Sequence, residues 1–275
     1  MQMKVSFSLV VLATVWLASN PLQAQMGSTG AGLGPQGGMS ISPATARLFG
    51  DNTAFNAAME MEAKMGAQQV ITMPSRLSFD QGKSRMDMDL TNLRGATLPP
   101  EAMTQVKQLG MAQMAMISRP DRQVVYLVFP AIRTYVEMTM PKTLAGQKIE
   151  SMTLTLLELG KEMVGNQPTV KNKATVTDSS GKVINSTVWN STALKQFPVK
   201  IETVEQGTPV TISFRNVNLG KQPAATFEPP AGFVKYTNMM EMTQAAMLGK
   251  IPPGSATGQT NRQGQPLGQP SATGK

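Results

Sequence analysis

The sequence predicts a mainly β fold of the α+β kind: one strongly curved antiparallel sheet, or open barrel, of about ten strands. Three observations predict it. Apolar and polar residues alternate with period two through most of residues 55–248. The alternating runs follow one another closely and are joined by short turn sequences, which makes neighbouring strands antiparallel. One long helical stretch interrupts the early strands, at 101–109, and a short helix at 238–248 ends the folded part. A sheet of that many strands curls or closes, because strand twist accumulates across it.

In the first run Phe55, Ala57, Met59, Met61 and Ala63 share one face, with Asn56, Glu60, Glu62 and Lys64 mostly on the other. Residues 68–79 continue as strand, bent at Pro74, and residues 85–90 set Met86, Met88 and Leu90 against Arg85, Asp87 and Asp89. Pro99-Pro100 opens the helix, Glu101 stands in the first turn where the helix dipole favours an acid, and Ala102–Leu109 forms the body. Strands return at 112–118, 123–129 and 134–138, with Arg119-Pro120-Asp121-Arg122 as the first link. In the second half, 153–163 passes through the hairpin-type turn Gly165-Asn166 to 169–177. Asp178-Ser179-Ser180-Gly181 leads on to 182–189, and strands 197–205 and 210–217 flank Gln206-Gly207.

The flanks have a different composition. Residues 1–25 read as a signal peptide: Lys4, an apolar run of about 14 residues to Ala18, the helix-breaking Asn20-Pro21, and a small residue for cleavage at Ala24. That run is short for a membrane span, which needs about 20 residues. No later stretch is apolar for long enough, so the mature chain is expected to have no integral membrane span and to reside in the periplasm or be secreted. Residues 26–54 are Gly-rich and residues 249–275 are rich in Gly, Pro and Gln. Such segments bury too little surface to offset chain entropy and are expected to be disordered, leaving 55–248 as the folded domain.

Among 275 residues there is no His and no Cys. This excludes Ser-His-Asp and Cys-His nucleophilic sites, thiol redox centres, and His/Cys zinc or haem sites. Lipid attachment through a cysteine is excluded for the same reason. The formal net charge is +8, but within 55–248 the 20 basic and 16 acidic residues are scattered with few aromatics between them, which argues against a nucleic-acid surface.

The second half carries a recognisable order of motifs. Gly160-Lys161-Glu162 precedes Gly165, Ser186-Thr187-Val188-Trp189 precedes Phe197-Pro198-Val199-Lys200, and Asn218-Leu219-Gly220-Lys221 precedes Phe227-Glu228-Pro229-Pro230-Ala231-Gly232-Phe233. Over roughly residues 55–240 the chain resembles an exported bacterial family of unknown function and, more distantly, the LolA/LolB-like lipoprotein carriers and sorting proteins. The resemblance implies an open half-barrel with a lid helix and a concave face that holds acyl chains. The partners it implies are a lipid or lipoprotein ligand and components of the cell envelope.

Methionine is the outstanding feature, with 22 residues, of which Met1 and Met3 fall in the signal. Met59/Met61, Met86/Met88 and Met114/Met116 are pairs two apart, so each pair sits on one face of a strand. Three readings stay open: core filler, wall of a plastic apolar cavity, or thioether ligands for Cu(I). The candidate ligand-binding residues are these six methionines together with Trp189, the one Trp outside the signal. No catalytic residue, resident metal or cofactor is expected, because the carboxylate pairs Glu60/Glu62 and Asp87/Asp89 oppose the methionines and read as solvated faces. Ser179 and Lys182 match a Ser-Lys spacing but lie in a turn. The expected function is therefore a non-catalytic exported binding module. The alternative is an envelope structural or interaction protein with a filled core.

Overall fold

The computed structural model describes residues 41–65, 69–95, 100–140, 148–205 and 207–251. The readings of 1–25 as a signal and of most of the two flanks fall outside the described residues.

Among the described residues twelve strands form one sheet, in which all neighbours but one are antiparallel. A first meander runs through β1 (Ala54–Met65), β2 (Gln69–Asp80), β3 (Lys83–Asp89), β4 (Gln113–Arg119), β5 (Val124–Phe129) and β6 (Thr134–Thr139). A second runs through β7 (Thr153–Val164), β8 (Gln167–Thr177), β9 (Val183–Ser191), β10 (Phe197–Glu205) and β11 (Thr208–Leu219). β12 (Val234–Tyr236) pairs in parallel with β6 at one edge. The meanders join where β1 pairs with β11, so β7 forms the other edge. The strand count exceeds the expected ten. One reason is that three-residue β12 is too short to show any alternation.

Local chemistry fixes the turns. Gly165 has φ +57° in the two-residue link between β7 and β8, a left-handed conformation that glycine adopts without steric cost. In the next turn the Asp178 carboxylate accepts hydrogen bonds from the backbone N–H groups of Ser180 and Lys182 and from Ser180 Oγ, at 2.6–3.0 Å. Lys182 is thus held as turn scaffolding, in line with the turn reading of Ser179 and Lys182.

The inner face of the sheet carries the main core. Among the described residues three short α-helices pack on it: α1 (Pro43–Arg47), α2 (Pro100–Gln108) and α3 (Met239–Met247). α1 precedes the boundary at residue 55 that composition suggests. Ser42 caps it, accepting from the Thr45 N–H at 3.1 Å, and the chain then drives Leu48 and Phe49 into the core. The Phe49 ring lies 4.8–5.8 Å from those of Phe55, Phe79, Phe197 and Phe214, which come from both meanders. A segment that reads as too polar to fold is anchored by one well-placed aromatic residue and its cap.

A smaller cluster sits on the outer face, where Ala115, Ile117, Tyr126 and Val128 are covered by Phe227. Arg119, itself buried, holds that cover in place. Its guanidinium pairs with Asp121 at 2.7 Å, with Glu228, and with the Phe227 carbonyl at 3.3 Å.

Candidate apolar-ligand face

Strand register sorts the candidate residues between the two faces. In one row across the sheet Met59 lies opposite Ser75, Ser75 opposite Met88, and Met88 opposite Met114. In the next row Leu77 lies opposite Met86, Met86 opposite Met116, and Met116 opposite Leu127. A third row runs Val188, Ile201, Ile212, Met61, Met73. Directly opposed antiparallel residues share a face, so all six candidate methionines are brought to the inner one. Met59, Met86, Met88 and Met116 are buried, and Met61 and Met114 are half-buried. Met73, opposite Met61, belongs to the same wall. It stands next to Pro74 and has no Met two residues away, so a search for pairs passes over it.

Trp189 is on the opposite face. Its row runs Lys171, Trp189, Lys200, Ser213, Glu60. Val188 takes the inner face, so its neighbour must take the outer. The ammonium groups of Lys171 and Lys200 stand 4.9 and 4.3 Å from the indole centroid, and the indole N–H donates to Glu162. That bond, with the two lysines nearby, holds the Glu162 carboxyl below its ordinary range. Trp189 is buried between these charges and belongs to the main core cluster, from the face opposite the methionine wall.

The carboxylates lie where solvated faces were expected. Glu60 pairs with Arg94 and with Arg215 at 3.3 Å, Asp87 with Arg85 at 2.8 Å, and Glu202 with Lys200 at 2.6 Å. Among the described residues no group of three His, Cys, Asp or Glu converges as metal ligands do. The soft donors are the thioethers, of which Met86/Met116 and Met88/Met114 are directly opposed across β3 and β4.

The wall is covered unevenly. α2 lies in the connection from β3 to β4, whose facing ends carry Met88 and Met114, and buries one of its nine residues, Val106. α3 buries Met242, whose sulfur accepts from Thr134 Oγ1 at 3.3 Å. A small hollow of about 40 Å³ among the described residues is lined by Phe49, Asn52, Phe79 and Ile149, and by none of the wall methionines. No described helix is long and apolar enough to cross a membrane.

Several solved structures are similar to this chain. A LolA superfamily protein from Nitrosomonas europaea matches with 9% identity over 66% of this chain and 94% of its own, at TM-score 0.37. The lipoprotein LppX of Mycobacterium tuberculosis matches with 13% identity over 64% and 94%, at TM-score 0.36. LprF of Mycobacterium bovis matches with 9% identity over 70% and 95%, at TM-score 0.37. No protein-family model matches the sequence, and neither does any curated protein.

Proposed function

We propose that the protein is a non-catalytic exported binding module that takes an apolar ligand, an acyl chain or the lipid part of a lipoprotein, on its inner sheet face. The observation that supports this is the contrast between the methionine wall and its cover at the β3–β4 end. The wall is broad, continuous and built from adaptable thioethers. The helix beside it is anchored by one buried valine. Exposing a valine costs about 1.5–3 kcal/mol, and each buried methylene returns about 0.8 kcal/mol, so an acyl chain of some four methylenes already offsets the displacement of α2. Methionine suits such a site because its unbranched side chain repacks around different chain lengths. The signal-peptide reading of residues 1–25 places the module in the periplasm or outside the cell.

The test is uptake of a fluorescent fatty-acid probe. Met88→Gln is expected to weaken uptake more than it lowers folding stability. A second reading, an envelope scaffold with a filled core, is favoured by the close burial of Met59, Met86, Met88 and Met116. Under it Met88→Gln lowers stability and the wild-type protein shows no saturable binding of any apolar probe, which would end the carrier reading. Cu(I) titration against a competing chelator checks whether the opposed thioethers act as ligands instead.

A further inference from the structure

The two edges of the sheet are treated very differently. The β12 edge is three residues long and carries Lys235, paired with Glu137 at 2.8 Å. Short, charged edges resist pairing with other strands. The β7 edge is twelve residues long and exposes Leu156, Leu157, Leu159 and Met163 by 48–61%. Only β8 pairs with it among the described residues, so its outward N–H and C=O groups form an open template.

The pattern along β7 identifies what fits that template. Its register on β8 slips at Leu159, between Glu158 and Gly160. Before the slip Leu154, Leu156 and Glu158 lie opposite Val176, Ala174 and Asn172; after it Lys161 and Met163 lie opposite Val170 and Pro168. All five therefore share the inner face, in the order Leu154, Leu156, Glu158, Lys161, Met163. About the midpoint of the slip this order is self-complementary. Run antiparallel to itself, the strand sets Glu158 against Lys161 twice and Leu156 against Met163 twice. Without the bulge the same spacing would put these partners on opposite faces, because side chains alternate strictly. Glu158 and Lys161 form no ion pair among the described residues.

We infer that β7 pairs antiparallel with β7 of a second copy of this chain, forming a two-fold dimer in which the sheet continues from one protomer into its partner. Main-chain hydrogen bonds supply affinity, and the two Glu158–Lys161 contacts set the register. The inner faces then run on across the dyad through Leu156 and Met163.

Sedimentation equilibrium of the secreted full chain tests this. The wild type is expected to be a dimer. Glu158→Lys and Lys161→Glu, each placing like charges opposite one another twice, are expected to weaken dimerisation by about tenfold or more. The double reversal restores it, while circular dichroism of all three variants matches the wild type. A wild type that stays monomeric overturns the inference, whether the β7 amides exchange freely or are protected by another part of the chain. So does a dimer indifferent to both single reversals. Either result leaves the ligand-face reading standing, since the probe assay does not depend on assembly.

Discussion

Among the described residues Glu205 is the one carboxyl that burial holds above its ordinary range. It accepts from Thr45 Oγ1 at 3.4 Å, a long bond that offsets only part of the desolvation. An unfolded Glu ionises near about 4.3. In the folded protein it ionises at higher pH, so the unfolded state releases its proton first. Stability from this group is therefore full below the unfolded value and declines as pH rises through the window up to the folded one. Glu205→Gln keeps the acceptor and removes the titration. Its urea midpoint is expected to match the wild type at pH 4 and to exceed it at pH 7; an equal loss at both would mean that the carboxylate is solvated. Asp121 has the opposite sign. Hydrogen bonds from Arg119 hold its carboxyl below the usual range, so its contribution is present above about pH 4 and fades as pH falls through the folded value.

At the scale of elements, α2 and α1 differ although both are short. α1 is bound in by Phe49 in the aromatic cluster and by Arg47 Nε, which donates to the Met152 carbonyl at 2.9 Å. α2 has Val106. Helices this short are not stable alone, so the packed side chain decides how long α2 stays docked. Val106→Ala is expected to remove about 1–2 kcal/mol of local stability. In hydrogen exchange the α2 amides should then open faster while those of β1 and β2 keep their protection. A uniform loss across the sheet would show α2 to be an integral part of the core and would remove the basis for its displacement by ligand.

For the molecule as a whole, the decisive contact is the pairing of β1 with β11, strands about 150 residues apart that join the two meanders. Phe49 and Phe55 meet Phe197 and Phe214 across the same junction. A shared core and a doubly paired central strand make independent unfolding of the halves costly. Urea unfolding followed by Trp189 emission, in the second meander, is therefore expected to coincide with near-ultraviolet circular dichroism of Tyr126 and Tyr135, in the first. Two separated transitions would mean that the junction is weaker than its packing implies.

The alternation of single residues was enough to place nearly every strand, because a sheet face that meets a core must be apolar at every second position. It was also enough to bring Met59, Met61, Met86, Met88, Met114 and Met116 to faces of their own strands. The sequence could not say that those faces coincide. That follows from register: Met86 reaches Met116, and Met88 reaches Met114, only because the β3–β4 pairing fixes opposite partners. Trp189 shows the same limit, since its side of the sheet follows from the register that sets it in one row with Lys171 and Lys200 and its neighbour Val188 in another with Ile201. α1 was hidden because one Phe in a polar, Gly-rich stretch carries no period, and its anchorage comes from four rings, three of which, Phe79, Phe197 and Phe214, are distant in sequence. The β7 edge was hidden too, because a strand reads the same whether one neighbour or two flank it; only the order of strands in the sheet decides which backbone is left unpaired.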